Sequence, residues 1–555
     1  MHPPSPDPRP RPALALLLAA CVVIPRAALV SRAHSETVDD ENHLVRGLEF
    51  LHRDAGLVHR DLNNPPLGDA LAALPLWLMG GTTHGRDEGT AIHAQTAYTP
   101  ETAMLAVALA RALLFLVLIA VAFLWCRKLY GQPAAWLAVG LLLVEPTLAG
   151  HLHLAALDVP ATTGILLACY LGWRYFERPS GARLVAAAAG TAFALLQKHT
   201  AVLVPPLLVG YALLFAFNNR RRATDDGQAA APWPGLFGDL ARGGLLTLLF
   251  MWLFMAFDIS PVRNGPLVPG GLYVESLFGA TKHVDQPTDG FLHGQTRPGG
   301  WWYYFPVVAT YKVPIGIAAV MLLGMLSLGR VRPRWREWGL LLPAIAYAAF
   351  MMLQGMNIGW RHFIPAYVLL LLLTTRCLAR ATSPSPGTPG EGRGEGLPRT
   401  TRAVPRRWPW SLAAALAVLV TALDTARWHP DYIPYVNWPR PNVHLAISDS
   451  NVDWGQSLKQ ARAWLDENRA WVAGRPVHIR PFVTANRAVR HYLGPDVQIL
   501  RHGDPPPRSG VLILNPVALA GVGEPRDAYA FLRDVPPHAI VGRTLRVYDM
   551  DKVSR

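Results

Sequence analysis

The sequence predicts a mainly α-helical, polytopic membrane protein with a small C-terminal α/β region. Half of its 555 residues are hydrophobic and only 16% are charged, whereas soluble domains carry about 25% charged residues. The apolar residues are gathered in runs that are nearly free of charge, and Arg and Lys concentrate in alternate loops between those runs. These three observations together favour a bundle of transmembrane helices over a soluble core.

The apolar runs define about eleven predicted spans. A helix needs about 20 mostly apolar residues to cross the hydrocarbon core. The shorter runs reach this length once flanking aromatic, Gly and Pro residues are counted, and tilt or bilayer thinning accommodates the remainder. We expect transmembrane helices at Ala13–Val30, Ala103–Trp125, Trp136–Val144, Val159–Tyr175, Leu184–Leu196, Ala201–Phe217, Gly244–Phe257, Tyr303–Leu328, Leu340–Leu353, Phe363–Thr375 and Leu412–Leu423.

Basic residues predict the orientation of these spans. Arg9 and Arg11 precede the first run, and Arg and Lys recur in every second loop after it. Because cytoplasmic loops are enriched in Lys and Arg, we expect the N-terminus to be cytoplasmic and the C-terminal domain to be extracytoplasmic. The expected location of the protein is a plasma or inner membrane. The net charge of +14 is then a sign of topology. We see no basic face interleaved with aromatic residues, as nucleic-acid binding would require.

The first run has a second interpretation, as a secretory signal peptide cleaved near Arg32–Ser35. It has the basic start and the apolar stretch of such a segment. In both cases the loop that follows lies outside.

The chain divides into two predicted domains. Residues 1–425 form the membrane domain, in which the Pro/Gly-rich segment 383–400 is a low-complexity cytoplasmic linker. Residues 426–555 form a small extracytoplasmic α/β domain. Its expected strands are Val477–Val483, Gly510–Leu514 and Thr544–Val547, and its expected helices are Gln456–Asn468 and Pro525–Asp534.

The first exterior loop opens with the acidic run Asp39-Asp40-Glu41. Acidic side chains at a membrane boundary must be solvated, paired or functional. Downstream, Pro65 and Pro66 predict a rigid turn. The apolar stretch Leu67–Met79, too short to span, would then lie along the membrane surface.

Other exterior turns carry His151, Asp158, Lys198, Arg361 and His362. Simple interpretations exist for each residue type. An acid at a helix start is a cap, a cation at the boundary snorkels, and two histidines without a third ligand are weak signs of a metal. A joint interpretation is a site that uses a carboxylate for acid/base chemistry and cations for a phosphorylated lipid.

The motif order resembles the GT-C superfamily of polyprenyl-phosphate-dependent glycosyltransferases, close to the protein O-mannosyltransferases and aminoarabinose transferases. The resemblance extends from about residue 38 to residue 550, and it depends on joint order because no single motif is specific. The matching residues are Asp40-Glu41, His43, Gly47, Asn64-Pro65-Pro66-Leu67, Pro146, His151, Asp158, Lys198, Gly300–Pro306, Lys312, Pro314, Asn357, Gly359, Arg361, His362, Pro365, His429-Pro430, Asn437 and Asp449–Gln456.

The resemblance implies transfer of a sugar from a polyprenyl phosphate to an acceptor at the exterior face, with inversion. Asp40, paired with Glu41, would be the general base, although the neighbouring Asp39 leaves that choice open. Asp158 would position the acceptor or, together with Asp40, a divalent cation. Leaving-group charge needs stabilising, and the residues expected to do this are Lys198, Arg361 and His362. Supporting residues are expected at Asp39, His43, His151, Pro65 and Pro66.

The sequence departs from the family pattern at Gly150 and His199, and neither is a proposed site residue. It leaves the sugar, the acceptor (protein, lipid or polysaccharide) and the need for a metal open. A transporter or flippase is one alternative, but transporters place ionisable residues at mid-membrane, and these runs are nearly free of charge. A catalytically inactive scaffold of the same fold is another.

The segment Asp449–Gln456 has a motif-like sequence without an obvious role. Asp449 and Asp453 are four residues apart and would share one face if the segment were helical. We interpret the segment as a helix cap packed through Trp454.

Overall fold

The computed structural model describes most of the chain with side chains. The described residues are 12–53, 62–82, 99–225, 235–263, 265–285, 288–330, 333–378, 408–440, 442–482, 486–523, 525 and 528–553. The predicted linker 383–400 lies outside them.

The larger part of the structure is helical. Its helices, in chain order, are α1 Pro12–Ala33, α2 Val38–His52, α3 Pro66–Leu78, α4 Pro100–Tyr130, α5 Gln132–Val144, α6 Pro146–His151, α7 Asp158–Glu177, α8 Gly181–Leu195, α9 Val204–Asp225, α10 Leu236–Phe254, α11 Gly271–Asp285, α12 Tyr304–Lys312, α13 Ile315–Arg330, α14 Trp338–Leu353, α15 Ile364–Thr374 and α16 Trp408–Arg427. Short 3₁₀ turns at His199–Leu203 and Trp360–Phe363 precede α9 and α15.

Ten of the eleven predicted runs each lie largely within one helix. The exception is Tyr303–Leu328, which is divided between α12 and α13 at Val313-Pro314, because proline removes a backbone donor and restricts the residue before it. Among the described residues, five helical segments are long and apolar enough to cross a membrane: Pro12–Ala33, Pro100–Tyr130, His199–Asn218, Leu236–Phe254 and Trp360–Leu378. The chain is a multi-pass membrane protein.

Helices α2 and α3 form a hairpin beside the long helices. Their backbones approach closely at Gly47, where an added Cβ would lie 2.3 Å from the carbonyl oxygen of Asp69. Helix α3 covers most of the apolar stretch Leu67–Met79, which is too short to span a membrane. Its first helical residue is Pro66, as expected for a residue that lacks an N–H at a position where that donor would be unpaired.

The C-terminal region contains a five-stranded mixed sheet. Two small antiparallel hairpins, β1 Ile259–Pro261 with β2 Leu267–Pro269 and β3 Asp289–Leu292 with β4 Gln295–Pro298, precede it in the chain. The sheet has the order β6-β5-β7-β9-β8. Its elements are α17 Leu458–Glu467, α18 Arg469–Val472, β5 Val477–Arg480, α19 Asn486–Leu493, β6 Gln498–Ile499, β7 Val511–Leu514, α20 Pro516–Ala520, β8 Ala539–Val541 and β9 Leu545–Asp549.

The sheet is covered on both faces, because alternate strand residues belong to separate buried clusters. Ile513 and Val547 pack in one cluster, and Leu512 and Tyr548 pack in the other. The three predicted strands are present, as is the first predicted helix. The predicted helix Pro525–Asp534 is wrong for the described residues, where the helical structure is a single 3₁₀ turn at Ala530–Leu532.

Lys312 joins the C-terminal region to the helices. At the end of α12, its buried Nζ donates to the carbonyl oxygens of Ile433, Tyr435 and Asn451 at 2.8, 3.0 and 2.5 Å. A buried ammonium needs such partners, so these bonds hold the backbone at Ile433, Tyr435 and Asn451 against the end of α12.

Candidate active site

Four charged side chains from distant parts of the sequence meet at one end of the helices. Lys198 Nζ donates to Asp158 Oδ1 at 2.9 Å. Arg361 Nη1 lies 3.0 Å from Asp39 Oδ2 and 3.8 Å from Asp158 Oδ2. Asp158, Lys198 and Arg361, which were expected to share a site, therefore lie together, and the second carboxylate beside them is Asp39, whereas Asp40 was expected there.

Arg361 is held by an aromatic ring and keeps donor capacity. Its guanidinium carbon lies 3.9 Å from the centroid of the Trp454 ring, and such stacking fixes the guanidinium plane. Its Nε is buried and has no hydrogen-bond partner among the described residues. The guanidinium is thus oriented and still able to bind an oxyanion.

Asp40 lies differently from what the resemblance implies for a general base. It is completely buried, and its Oδ2 accepts from the Thr37 N–H and hydroxyl at 2.7 and 2.9 Å. Its Oδ1 accepts from the Ala155 N–H at 2.6 Å. Burial raises the pKa of Asp40 to about 6 against the opposing effect of these bonds. Because both oxygens are occupied, Asp40 caps α2 and anchors the loop before α7.

Arg111 fixes the same loop from the opposite side. This buried residue of α4 donates to the carbonyl oxygens of Leu154 at 3.3 Å and Gly68 at 3.4 Å, and also to that of Ala155. Arg111 and Asp40 together satisfy the carbonyl and the N–H of Ala155. The loop that leads into Asp158 therefore has a defined backbone.

The supporting residues on α2 and α3 form a separate ion cluster. His43 Nδ1 and Arg46 Nε lie 2.7 and 2.8 Å from the two oxygens of Asp69. Arg46 and His43 lower the pKa of the buried Asp69 despite its burial. Pro65 occupies the cap position of α3 and Pro66 its first turn. The contacts of His43 and Arg46 with Asp69 hold the hairpin together.

Two of the three predicted site histidines, His151 and His362, are buried beside the cluster. His151 Nδ1 lies 2.7 Å from the carbonyl oxygen of Thr147, and its ring lies 5.9 Å from that of Trp454. His362 interacts electrostatically with Asp158, and neither of its ring nitrogens has a hydrogen-bond partner in the described part of the chain. Glu41 is also buried, on α2.

Asp40 and Asp158, the pair expected to share a divalent cation, differ in what their oxygens contact. Among the described residues, no group of three His, Cys, Asp or Glu side chains is arranged for a metal. The oxygens of Asp40 are occupied by N–H and O–H donors, and Asp158 is paired with Lys198. The other oxygen of Asp158, Oδ2, lies 3.8 Å from Arg361 Nη1 and has no hydrogen-bond partner among the described residues.

The sequence did not reveal the part that the segment 449–456 plays in the site. Trp454 is buried as expected, but it packs on a site residue. Asp449 begins a single 3₁₀ turn that ends at Asn451, so Asp449 and Asp453 do not share a helix face. Burial raises the pKa of Asp449 to about 6, with Arg361 opposing and Asp39 adding to the shift. The motif-like spelling Asp-Ser-Asn-Val-Asp-Trp-Gly-Gln was the available signal.

Asn451 and Ser450 bind this segment to the turn that carries Arg361. Asn451 Oδ1 accepts from the Trp360 N–H at 2.9 Å, and its Nδ2 donates to the Tyr304 hydroxyl at 2.8 Å. Ser450 Oγ donates to the carbonyl oxygen of Ile358 at 2.6 Å. A Cβ at Gly359 would lie 2.2 Å from Ser450 Oγ, so glycine permits this approach.

One protein-family model matches part of the chain. The model described as dolichyl-phosphate-mannose-protein mannosyltransferase matches residues 96–227, which include Asp158 and Lys198. The match supports the resemblance within that segment. A search of curated proteins found no match.

Solved membrane glycosyltransferases are similar at low identity. ArnT from Cupriavidus metallidurans bound to undecaprenyl phosphate is 14% identical, with 96% of this chain and 97% of that chain covered and a TM-score of 0.49. The archaeal oligosaccharyltransferase AglB from Archaeoglobus fulgidus, in complex with an inhibitory peptide and a dolichol-phosphate, is 12% identical. The structural alignment covers 97% of this chain and 76% of that chain, with a TM-score of 0.49.

Proposed function

We propose that this protein is a membrane glycosyltransferase that moves a sugar from a polyprenyl-phosphate donor to an acceptor at the site formed by Asp39, Asp158, Lys198 and Arg361. The observation that carries the proposal is the meeting of these four side chains, from four distant segments, within 3.8 Å of a neighbour. The family-model match over residues 96–227 supports it.

The two cations are suited to the donor phosphate. Lys198 supplies a point charge, and Arg361 supplies a fixed fork whose Nε is without a partner among the described residues. As the bond between the anomeric carbon and the phosphate oxygen breaks, negative charge grows on that oxygen. Preorganised cations stabilise this charge without reorganising.

Asp39 is the carboxylate best placed to act as general base. Its side chain is 32% exposed, whereas that of Asp158 is 3% exposed. An acceptor hydroxyl can therefore reach Asp39, which takes the proton as the acceptor oxygen attacks the anomeric carbon. Inversion requires the acceptor oxygen to attack from the face of the sugar opposite the leaving phosphate. Asp39 as general base replaces the assignment of Asp40, while Asp158 holds Lys198 in place.

The direct test is donor consumption by the purified full-length chain. The protein is incubated with a panel of polyprenyl-phosphate hexoses and pentoses, and release of polyprenyl phosphate is followed by mass spectrometry with acceptor lipids, peptides and glycans present. We expect turnover of one donor class, and a lower rate of that turnover in Lys198→Ala. If the protein shows no turnover and no donor binding across the panel, this result would favour an inactive scaffold and overturn the proposal.

A further inference from the structure

A groove separate from the four-charge cluster lies where α13 and α16 meet the C-terminal region. Its volume is about 880 Å³. Val452 lines it, whereas Trp454 of the same segment packs on Arg361. None of the four charged site residues is among its lining residues. This groove, called the arginine groove below, is lined among others by Ile315, Gly316, Val420, Leu423, Asp424, Arg427, Trp428, Trp438, Arg440, His444, Arg543 and Arg546.

The side of the groove formed by the helices is apolar and exposed. Ile315, Val420 and Leu423 are 51%, 50% and 56% exposed. The two helices touch closely at Gly316, where a Cβ would lie 2.3 Å from the carbonyl oxygen of Ala417. This close packing gives a continuous apolar surface on segments predicted to be transmembrane, where the natural solvent is lipid acyl chain.

The other side of the groove is cationic. Arg543 stacks on the Trp428 ring at 4.6 Å and donates to the carbonyl oxygen of Arg427 at 2.6 Å. Arg440 stacks on the Tyr311 ring at 4.0 Å. These contacts to aromatic rings and to a carbonyl oxygen orient the two guanidinium groups and do not neutralise their charges.

Acidic side chains do not balance this charge. Asp424, the carboxylate among the lining residues, accepts a hydrogen bond from the Tyr435 hydroxyl at 2.5 Å. Within the described residues, Arg427, Arg440 and Arg546 form no ion pair with a carboxylate, and Arg543 lies 3.6 Å from Asp431. Arg546 instead contacts His444 at 2.9 Å. The groove thus carries an excess of positive charge directly above an apolar surface.

We propose that the arginine groove binds an anionic phospholipid of the surrounding membrane. Its phosphodiester would contact Arg427 and Arg440, and its acyl chains would lie along α13 and α16. Guanidinium groups match phosphate oxygens in geometry and charge. Trp438, which is 62% exposed, lies in the same lining, as is typical of residues at the level of lipid headgroups.

The test compares lipid binding by the full-length protein and its variants. Detergent-purified protein is incubated with phosphatidylglycerol or phosphatidylcholine, and bound lipid is counted by native mass spectrometry. Because each basic residue near an anionic lipid contributes about a five-fold gain in affinity, we expect Arg427→Gln/Arg440→Gln to lose about 25-fold in phosphatidylglycerol affinity. Arg508→Gln, at an exposed arginine outside the groove, is the matched control and should bind as the wild type does.

The charge-retaining variant Arg427→Lys/Arg440→Lys separates lipid binding from misfolding, and it should recover most of the lost affinity. Equal binding of the two lipids by the wild type would overturn the proposal. So would full phosphatidylglycerol binding by the double Gln variant, or displacement of phosphatidylglycerol by an equimolar amount of undecaprenyl phosphate. The last result would assign the groove to the carrier lipid.

Discussion

Two ion clusters lie about one turn apart on α2, and they differ in what they leave available. In the first, Asp69 is fully buried and both of its oxygens are paired, one with His43 and the other with Arg46. In the second, Asp39 is one-third exposed and shares Nη1 of Arg361 with Asp158. The first cluster is closed, and the second retains an accessible carboxylate and a buried donor without a partner in the described structure.

The difference shows how a structural ion cluster is told from a candidate site with the same residue types. A buried carboxylate with matched partners has nothing left for a ligand, and breaking such a pair costs stability. A cluster that shares donors and faces solvent can exchange its internal contacts for contacts to a substrate. The two clusters should therefore respond to mutation in opposite ways.

The largest effect is expected from Asp39→Asn. Removing a general base lowers the rate by about 10²–10⁴-fold, and the partial exposure of Asp39 means that folding should be little affected. The measurement is kcat with the donor identified in the panel, alongside the thermal midpoint.

The matched control is Asp40→Asn. It should lower the thermal midpoint, because the Asn amide cannot accept the N–H bonds of both Thr37 and Ala155, yet retain activity in the folded fraction. The reverse pattern would restore Asp40 as the base.

Arg361→Lys should have the next largest effect. The ammonium keeps the charge but loses the fork geometry and the stacking on Trp454. We expect about a 100-fold loss in kcat, measured with saturating donor. Lys198→Arg is the companion variant, and it should be milder because Lys198 acts as a point charge. An unchanged kcat for Arg361→Lys would remove Arg361 from the leaving-group site.

The closed cluster should respond in stability and hardly in chemistry. Asp69→Asn removes the carboxylate charge that pairs with Arg46, and breaking one partner of a buried pair costs about 3 kcal/mol. The expected result is a lower thermal midpoint with kcat per folded molecule close to that of the wild type. A large loss of kcat without loss of stability would show that His43 and Asp69 belong to the catalytic machinery.

The sequence predicts much of the frame because long apolar runs have few alternative structures in a membrane. Ten of the runs lie largely within single helices, and only Val313-Pro314 divides one. Asp158, Lys198 and Arg361 were predicted to converge, and they do, because each lies in a turn at the same end of the helices. The role of Trp454 depends on a contact with Arg361 across 93 residues of chain, and no local pattern contains that information.

The choice between Asp39 and Asp40 was equally beyond the sequence. Adjacent helix residues point about 100° apart, so Asp39 and Asp40 make different contacts. Asp40 caps α2, and Asp39 faces Arg361. Which does which depends on where the Ala155 N–H and Arg361 lie, and both are far away in sequence.

The smallest expected effect concerns pH and the buried acids of the segment 449–456. Burial raises the pKa of Asp453 to about 7, above the value of about 3.9 expected in the unfolded chain. The folded state therefore binds the proton more tightly, and stability must fall as pH rises from about 4 to about 7.

Asp453→Asn, which keeps an acceptor for the Gly455 N–H, should show a smaller decrease in thermal midpoint between pH 5 and pH 7.5. Asp40 and Asp449 have the same sign, so part of the slope should remain. Asp466→Asn, at a surface ion pair, should keep the wild-type slope. An unchanged slope in Asp453→Asn would mean that this carboxylate is hydrated in the folded protein, and the segment would then be less tightly packed against Arg361 than the contacts of Trp454 indicate.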